Sequence, residues 1–211
     1  MKNVVILGAN GQIASWVIAM LSEQKDIQMR LVVRDAKKLE GNIPANAQVV
    51  TADVLNQSQL ESALEGADIV YANLFGDMAA MAKSIAAVMI KLHISRLIFV
   101  NSLGIYNELP GEFGKWNDQE IGQYLGTYRE ASDIIEASDL DYTILRAAWL
   151  TDYDEIDFET TQRNDVFKGT EVSRKSVAAL IAEIVSSPET YSKANIGVNK
   201  PNTDGDKPAF L

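Results

Sequence analysis

The 211-residue sequence contains no cysteine and a single histidine, His93. Disulfides, thiolate catalysis, cysteine-ligated zinc and iron–sulfur clusters are thereby excluded, and no histidine-rich metal site can be built. Basic residues are also scarce: 19 Lys and Arg stand against 29 Asp and Glu, a formal charge of −10. Such a surface repels phosphate backbones at long range. The densest basic stretch, Arg34-Asp35-Ala36-Lys37-Lys38, is short and carries an acid inside it, so no nucleic-acid partner is expected. No apolar run approaches the ~20 residues that cross a bilayer. Met1-Lys2-Asn3 leads into the brief apolar run Val4 to Gly8, too short for the core of a signal peptide. These absences leave the expectation of an acidic, soluble, cytoplasmic protein without a membrane partner.

What is present is an ordinary globular composition, with 47% hydrophobic residues, enough to hold a core without staples. At about 100–200 residues per domain, the length predicts one domain over residues 1–211. Short β-branched runs alternate with longer helical ones. Strands are expected at 4–7, 30–33, 48–51, 68–72, 96–100, 142–145 and 195–198. Helices are expected at 13–21 (Ile13, Trp16, Val17 and Met20 on one face), around 60–64, and at 78–92, 128–137 and 176–185. The strands are near-continuous apolar runs, which indicates burial on both faces. The fold class that follows is α/β: a Rossmann-like, doubly wound parallel sheet with helices on both faces. In such sheets ligands bind beyond the carboxyl ends of the strands.

The first strand ends in Gly8-Ala9-Asn10-Gly11-Gln12-Ile13-Ala14, a G-x-x-G-x-x-A turn opening a helix. Gly8 permits the tight turn, Gly11 a close approach of backbone to a pyrophosphate, and Ala14 close helix–strand packing; the helix N-terminus offers free N–H groups to the phosphates. About 20 residues on, where the cofactor's ribose is read, stands Val33-Arg34-Asp35. Arg34 directly after the strand favours the 2′-phosphate of NADP. Asp35 keeps NAD open, or caps the short turn that follows. Asp53-Val54, after the third strand, suits the adenine amino group and ring face, and Asp53 doubles as a start signal for the next helix.

Taken in order, Gly8-x-x-Gly11-x-x-Ala14, Arg34, Asp53-Val54, Tyr71-Ala72-Asn73, Val100-Asn101-Ser102-Leu103-Gly104 and Asp141-Tyr142-Thr143-Ile144-Leu145-Arg146 resemble the atypical short-chain dehydrogenase/reductases. The similarity points to their NmrA-like NAD(P)-binding branch, with the small biliverdin-IXβ/flavin reductases as similar members. It covers nearly the whole chain. It implies that Gly8, Asn10, Gly11, Gln12 and Ile13 hold the pyrophosphate. It implies that Asn73 and Leu74 line the ribose and the middle of the cofactor, and that Ser102 is the active-site serine beside the nicotinamide. Ala148 and Trp149 fall where the family's chain passes the nicotinamide, although Ala147-Ala148 stands in place of the usual Pro-Gly.

The family's Tyr-x-x-x-Lys pair, in which lysine lowers the tyrosine pKa, is missing. The residues four on from the seven tyrosines are Phe75, Pro110, Tyr128, Ser132, Arg146, Asp157 and Asn195. Tyr128 and Tyr106 remain as candidate acids with Ser102. Two functions are consistent with this loss. One is an NAD(P)H-dependent reductase that transfers hydride to a small conjugated, quinone-like or flavin-like acceptor and takes its proton from solvent. The other is a non-catalytic redox sensor that signals to a regulatory protein partner. A sugar-nucleotide epimerase fits less well, because those relatives carry a larger C-terminal substrate domain.

The substrate edge is expected in segments 103–127 and 149–175. Gly111 and Gly114 mark the first as a mobile loop carrying Trp116. The carboxylates of the second (Asp152, Asp154, Glu155, Asp157, Glu159) read as a solvated loop rather than a metal site, with Lys168 and Arg174 as its basic residues. His93 reads as a helix C-terminal residue away from the cofactor. Pro208-Ala209-Phe210-Leu211 is expected to dock on the body.

Overall fold

The computed structural model describes residues 1–39 and 43–211. In chain order the elements are β1 (Lys2–Leu7), α1 (Gln12–Ser22), β2 (Ile27–Val33), a 3₁₀ turn (Ala36–Lys38), β3 (Ala47–Thr51), α2 (Gln57–Leu64), β4 (Ile69–Ala72), α3 (Met78–Lys91) and β5 (Arg96–Ser102). There follow α4 (Gly111–Glu136), β6 (Asp141–Ala147), β7 (Trp149–Thr151), β8 (Glu159–Thr161), β9 (Glu171–Ser173), α5 (Arg174–Ser186) and β10 (Ala194–Asn199). Eight strands form one sheet in the order β3-β2-β1-β4-β5-β6-β10-β8. It is parallel from β3 to β10, and β8 adds an antiparallel edge. The doubly wound sheet is thus as expected, with β8 as a refinement. The three-residue β8 and the small β7–β9 pair carry no periodicity from which to read them.

Side chains of one strand alternate between two cores. Val4 and Ile6 of β1 face the layer of α1 and α5, with Val17, Leu21, Leu180 and Ile184. Val5 and Leu7 face the opposite layer, with Leu60, Ile85, Met89 and Ile135 of α2, α3 and α4. Burial on both faces explains the unbroken apolar strands. Trp16, placed on the buried face of α1 from sequence, is instead 37% exposed. The buried stripe is Ile13, Ala14, Val17, Ile18 and Leu21, and Lys175 Nζ sits 5.0 Å from the Trp16 ring centroid.

The largest difference from the sequence reading is α4. It begins at Gly111, not near Tyr128, so the expected mobile loop is mostly helix. Each helical glycine costs about 1 kcal/mol relative to alanine, which is why Gly111 and Gly114 read as breakers. Packing offsets that cost: Phe113 is buried and stacks on Trp116 at 6.2 Å, and Trp116 packs on Trp149 at 4.7 Å. Only residues 103–110 of that segment are non-helical.

The register brings five strand ends to one edge of the sheet, where β5 runs three residues past Phe99, the partner of Ala72, to Ser102. Leu7 pairs with both Val32 and Ala72, and Ser102 pairs with Ala147. β1 has β2 on one side and β4 on the other, so the chain winds both ways from β1. The crevice outside the β1 and β4 ends is the switch point at which open α/β sheets bind ligands.

Candidate functional site

Two cavities meet over this edge. One, of about 360 Å³, is bounded by Gly8, Asn10, Gly11, Arg34, Asp53, Val54 and Asn73. The other, of about 580 Å³, is bounded by Ile13, Ser102, Tyr128, Ala148, Trp149 and further apolar side chains. Asn73, Leu74 and Phe75 line both, which makes one continuous cleft across the ends of β1 to β6. Twelve of the residues expected around a cofactor therefore lie along it. Gln12 does not: it is exposed and lines a separate hollow with Asn10, Ser15 and Lys38.

The glycine turn is built against β4. Gly8 has φ +78°, a left-handed conformation natural to glycine. A Cβ on Gly8 would collide with the Asn73 carbonyl, and one on Gly11 with Asn73 Nδ2. Gly8 N–H donates to Val32 O at 3.1 Å and Gly11 N–H to Gly8 O at 3.0 Å. The helix that follows starts bare. Helices α2, α3 and α5 begin on capping side chains from Asn56, Asp77 and Ser173. In α1 the cap residue is Gly11, no side chain caps it, and its first turn holds no acid. Uncapped N–H groups at the positive end of a helix dipole fit an anion. A dinucleotide pyrophosphate is therefore compatible with this donor set and with the room left by the two glycines.

At the small end, Arg34 is exposed beside Val33 and Val54. Asp35 accepts from Lys37 N–H at 3.0 Å through one carboxylate oxygen and caps the 3₁₀ turn. Asp53 does not cap α2, as the sequence suggested; Asn56 does. Asp53 instead accepts from Leu55 N–H at 2.9 Å in a tight local turn.

At the large end, Asn101 ties β5 to α4. Its Nδ2 donates to Tyr128 O at 3.0 Å and to Ser132 Oγ at 2.7 Å, while its Oδ1 accepts from Ser102 N–H at 2.7 Å. This buried side chain sets Ser102 and Tyr128 on the same cavity wall. The Ser102 hydroxyl donates to Leu103 O at 3.1 Å. Burial pushes the Tyr128 pKa up. The position four on, where the family carries lysine, is the buried Ser132. Tyr106 is not brought to this cavity. It lies in another hollow, its ring 4.5 Å from the Arg129 guanidinium and 4.1 Å from that of Arg163, its hydroxyl accepting from Asn195 Nδ2 at 2.8 Å.

The profile of the NAD(P)H-binding family matches residues 8–188. The chain belongs to this family. The NAD(P)H-binding chain is 50% identical to a Rossmann-fold NAD(P)-binding family protein from Shigella flexneri, over 100% of both chains, at a TM-score of 0.88. It is 30% identical to a short-chain dehydrogenase/reductase from Veillonella parvula solved in complex with NADP, over 99% of both chains, at a TM-score of 0.94. It is 28% identical over 160 residues to the uncharacterized sugar epimerase YhfK of Bacillus subtilis (strain 168), spanning 70% of this chain and 72% of that protein. The fold is that of the atypical short-chain dehydrogenase/reductases.

Three features of this NAD(P)H-binding protein escaped sequence reasoning. Asn101 gave a signal, an amide at the end of an apolar strand, but its partners come from residues 128–132. Phe75, 79% exposed, bridges the two cavities. Glu108 forms a buried ion pair with Arg146 at 2.5 Å, so the arginine of the Asp141–Arg146 stretch is a structural anchor under the loop before α4. The basic pair expected at the substrate edge divides: Arg174 borders the large cavity and pairs with Asp152 at 2.7 Å, while Lys168 is exposed and borders neither part of the cleft. Asp154 pairs with Lys175 and Glu155 with Lys200, and among the described residues no group of carboxylates is arranged to hold a metal. His93, at φ +57° just past α3, lies at the opposite end of the sheet from the cleft.

Proposed function

We propose that the protein is an NADPH-dependent reductase of a small, flat, conjugated acceptor of quinone or flavin type, working in the cytoplasm. The observation that carries this reading is the continuous cleft. Its small end presents Arg34 beside the uncapped start of α1, and its large end is an apolar chamber that holds Ser102 and Tyr128 but no lysine. NADPH held in this cleft would supply a hydride, which with one proton from solvent would reduce the acceptor to its dihydro form and give NADP⁺. The chain's own work is placement. Gly8 and Gly11 let the backbone close on the pyrophosphate, Arg34 selects the 2′-phosphate, Asp53 and Val54 hold the adenine, and Ala148 and Trp149 floor the nicotinamide end. The apolar walls exclude water around the reacting faces. Tyr128, kept protonated by its burial, serves as a hydrogen-bond donor to an acceptor oxygen rather than as an ionising acid.

The test is calorimetric titration with NADP⁺, NADPH, NAD⁺ and NADH, followed by NADPH consumption with menadione and with FMN. Arg34→Ala is expected to weaken NADPH binding about tenfold or more, ~1.4 kcal/mol per decade, and to leave NADH binding unchanged. Equal loss for both cofactors would remove Arg34 from 2′-phosphate reading. Absence of binding by all four would overturn the whole reading.

A second reading rests on a specific observation. Ser132 fills the lysine position and Ser102 spends its hydroxyl on the backbone. A redox sensor of NmrA type, which binds NADP⁺ and NADPH unequally and passes the difference to a regulatory protein partner, needs neither group. Unequal binding without turnover of either acceptor would favour it.

A further inference from the structure

The large cavity has a wall that neither strands nor helices supply. Phe210 and Leu211 line it together with Ile121 and Tyr124 of α4 and with Trp149 and Leu150. Their placement follows from a short series of tethers. Glu171, a buried acid on β9, accepts from Ala209 N–H on its side-chain Oε2 at 2.7 Å and from Lys200 N–H on its backbone carbonyl at 2.7 Å. One residue thus grips both ends of the terminal segment. Between them Thr203 O accepts from Thr170 N–H at 3.1 Å and from Thr170 Oγ1 at 2.8 Å. Pro208 is buried, and Leu211 N–H closes a turn onto Pro208 O at 3.3 Å. A buried carboxylate that accepts a backbone N–H is a charge-assisted bond, stronger than a neutral one.

We propose that this terminal wall, fixed by Glu171, sets the size of the acceptor, with Phe210 as the residue that discriminates. The proposal rests on the reductase reading above and adds its specificity element. Phe210 is 39% exposed and Tyr124 50% exposed at the same cavity, so their rings remain free for an apolar ligand to cover. Offset stacking of aromatic rings adds favourable contact beyond burial alone. A flat two-ring acceptor gains from Phe210, whereas a bulkier ring system meets it as an obstruction. The expected class is therefore a compact bicyclic quinone in preference to a flavin.

Phe210→Ala in the full chain is expected to raise the KM for menadione about fivefold, to lower or leave unchanged the KM for FMN, and to leave the Kd for NADPH as it was. Glu171→Leu, which frees the tail, should copy this pattern, and Glu171→Gln, which keeps an acceptor oxygen for Ala209, should restore the native values. Native KM for both acceptors in Phe210→Ala would overturn the proposal. A second readout needs no turnover. Phe210→Cys creates the sole thiol in a chain without cysteine. Saturating NADP⁺ should slow its reaction with a bulky maleimide at least threefold, because the tail shares its cavity with Ala148 and Trp149. An unchanged rate would overturn the tail's role. If the native protein turns over neither acceptor while Phe210→Cys shows this protection, the reductase reading falls and the tail's place on the cofactor cleft stands.

Discussion

Tyr128 shows how one substitution nearby changes what a side chain can do. A tyrosine becomes a useful acid–base group near neutrality when a cation lowers its pKa. Here burial raises it, and the helical position one turn on is Ser132, whose hydroxyl is held by Asn101. Lysine could not occupy that site without displacing the buried amide. The expected outcome is a pH–rate profile for menadione reduction that is flat between pH ~6 and ~9, with Tyr128→Phe lowering kcat by less than about threefold. A limb in that range that disappears in Tyr128→Phe would restore the tyrosine to the role of an ionising acid. Tyr71 is a second residue of this kind. Its hydroxyl is fully buried on β4 without a hydrogen-bond partner among the described residues. Leaving such a group unpaired costs about 1–3 kcal/mol, so Tyr71→Phe is expected to raise the urea midpoint rather than lower it.

At the scale of elements, the β1–α1 turn works through its proximity to the end of β4, and its two glycines fail differently when replaced. Gly8 combines φ +78° with a backbone wall, the Asn73 carbonyl. Gly11 has ordinary extended dihedrals and a Cβ there would collide with the Asn73 side-chain amide, which can swing aside, and would sit 3.2 Å from the Gly8 carbonyl oxygen. Gly8→Ala is therefore expected to cost several-fold more stability than Gly11→Ala in denaturant unfolding. Gly11→Ala should stay folded, at a cost of about 1–3 kcal/mol, and lose NADPH affinity by more than tenfold in the same calorimetry. Equal stability loss in both would mean that the contact with Asn73 does not govern the turn. Helix α4 teaches a related lesson. Its N-terminal half is weak in propensity and is held by the Phe113–Trp116–Trp149 cluster, so the cavity wall at Ile121 and Tyr124 depends on a tryptophan from another element.

For the whole molecule, the ionisation of buried phenols gives a pH dependence of known sign. Burial raises the pKa of Tyr71, Tyr128 and Tyr142, with repulsion from Glu136 adding to the effect at Tyr142. Below pH ~10, the ordinary phenol value, folded and unfolded chains hold the same phenolic protons. Above it the unfolded chain releases protons that the folded chain retains, so stability falls as pH rises. Urea midpoints from these groups should be level up to pH ~10 and decline beyond it, with a shallower decline in Tyr71→Phe. A steeper decline in that variant would show that Tyr71 is not the group resisting ionisation.

What the sequence determined by itself is the part carried by local pattern. The apolar runs of β1, β2, β4 and β5 specify strands buried on both faces, and Gly8-x-x-Gly11-x-x-Ala14 specifies the tight turn from β1 into α1. Arg34 stands directly after β2, at the small end of the cleft. These follow from nearest-neighbour sterics and side-chain alternation, which need no distant partner. Tertiary structure decided the rest, because it depends on groups far apart in the chain. It extended α4 back to Gly111 by aromatic packing on Trp149 and gave the Asp53 carboxylate to Leu55 rather than to a helix cap. It drew Tyr106 away into a nest of arginines and set Phe210 against the cleft through Glu171. Each of these outcomes rests on the net free energy of contacts whose partners are brought together only when the sheet closes.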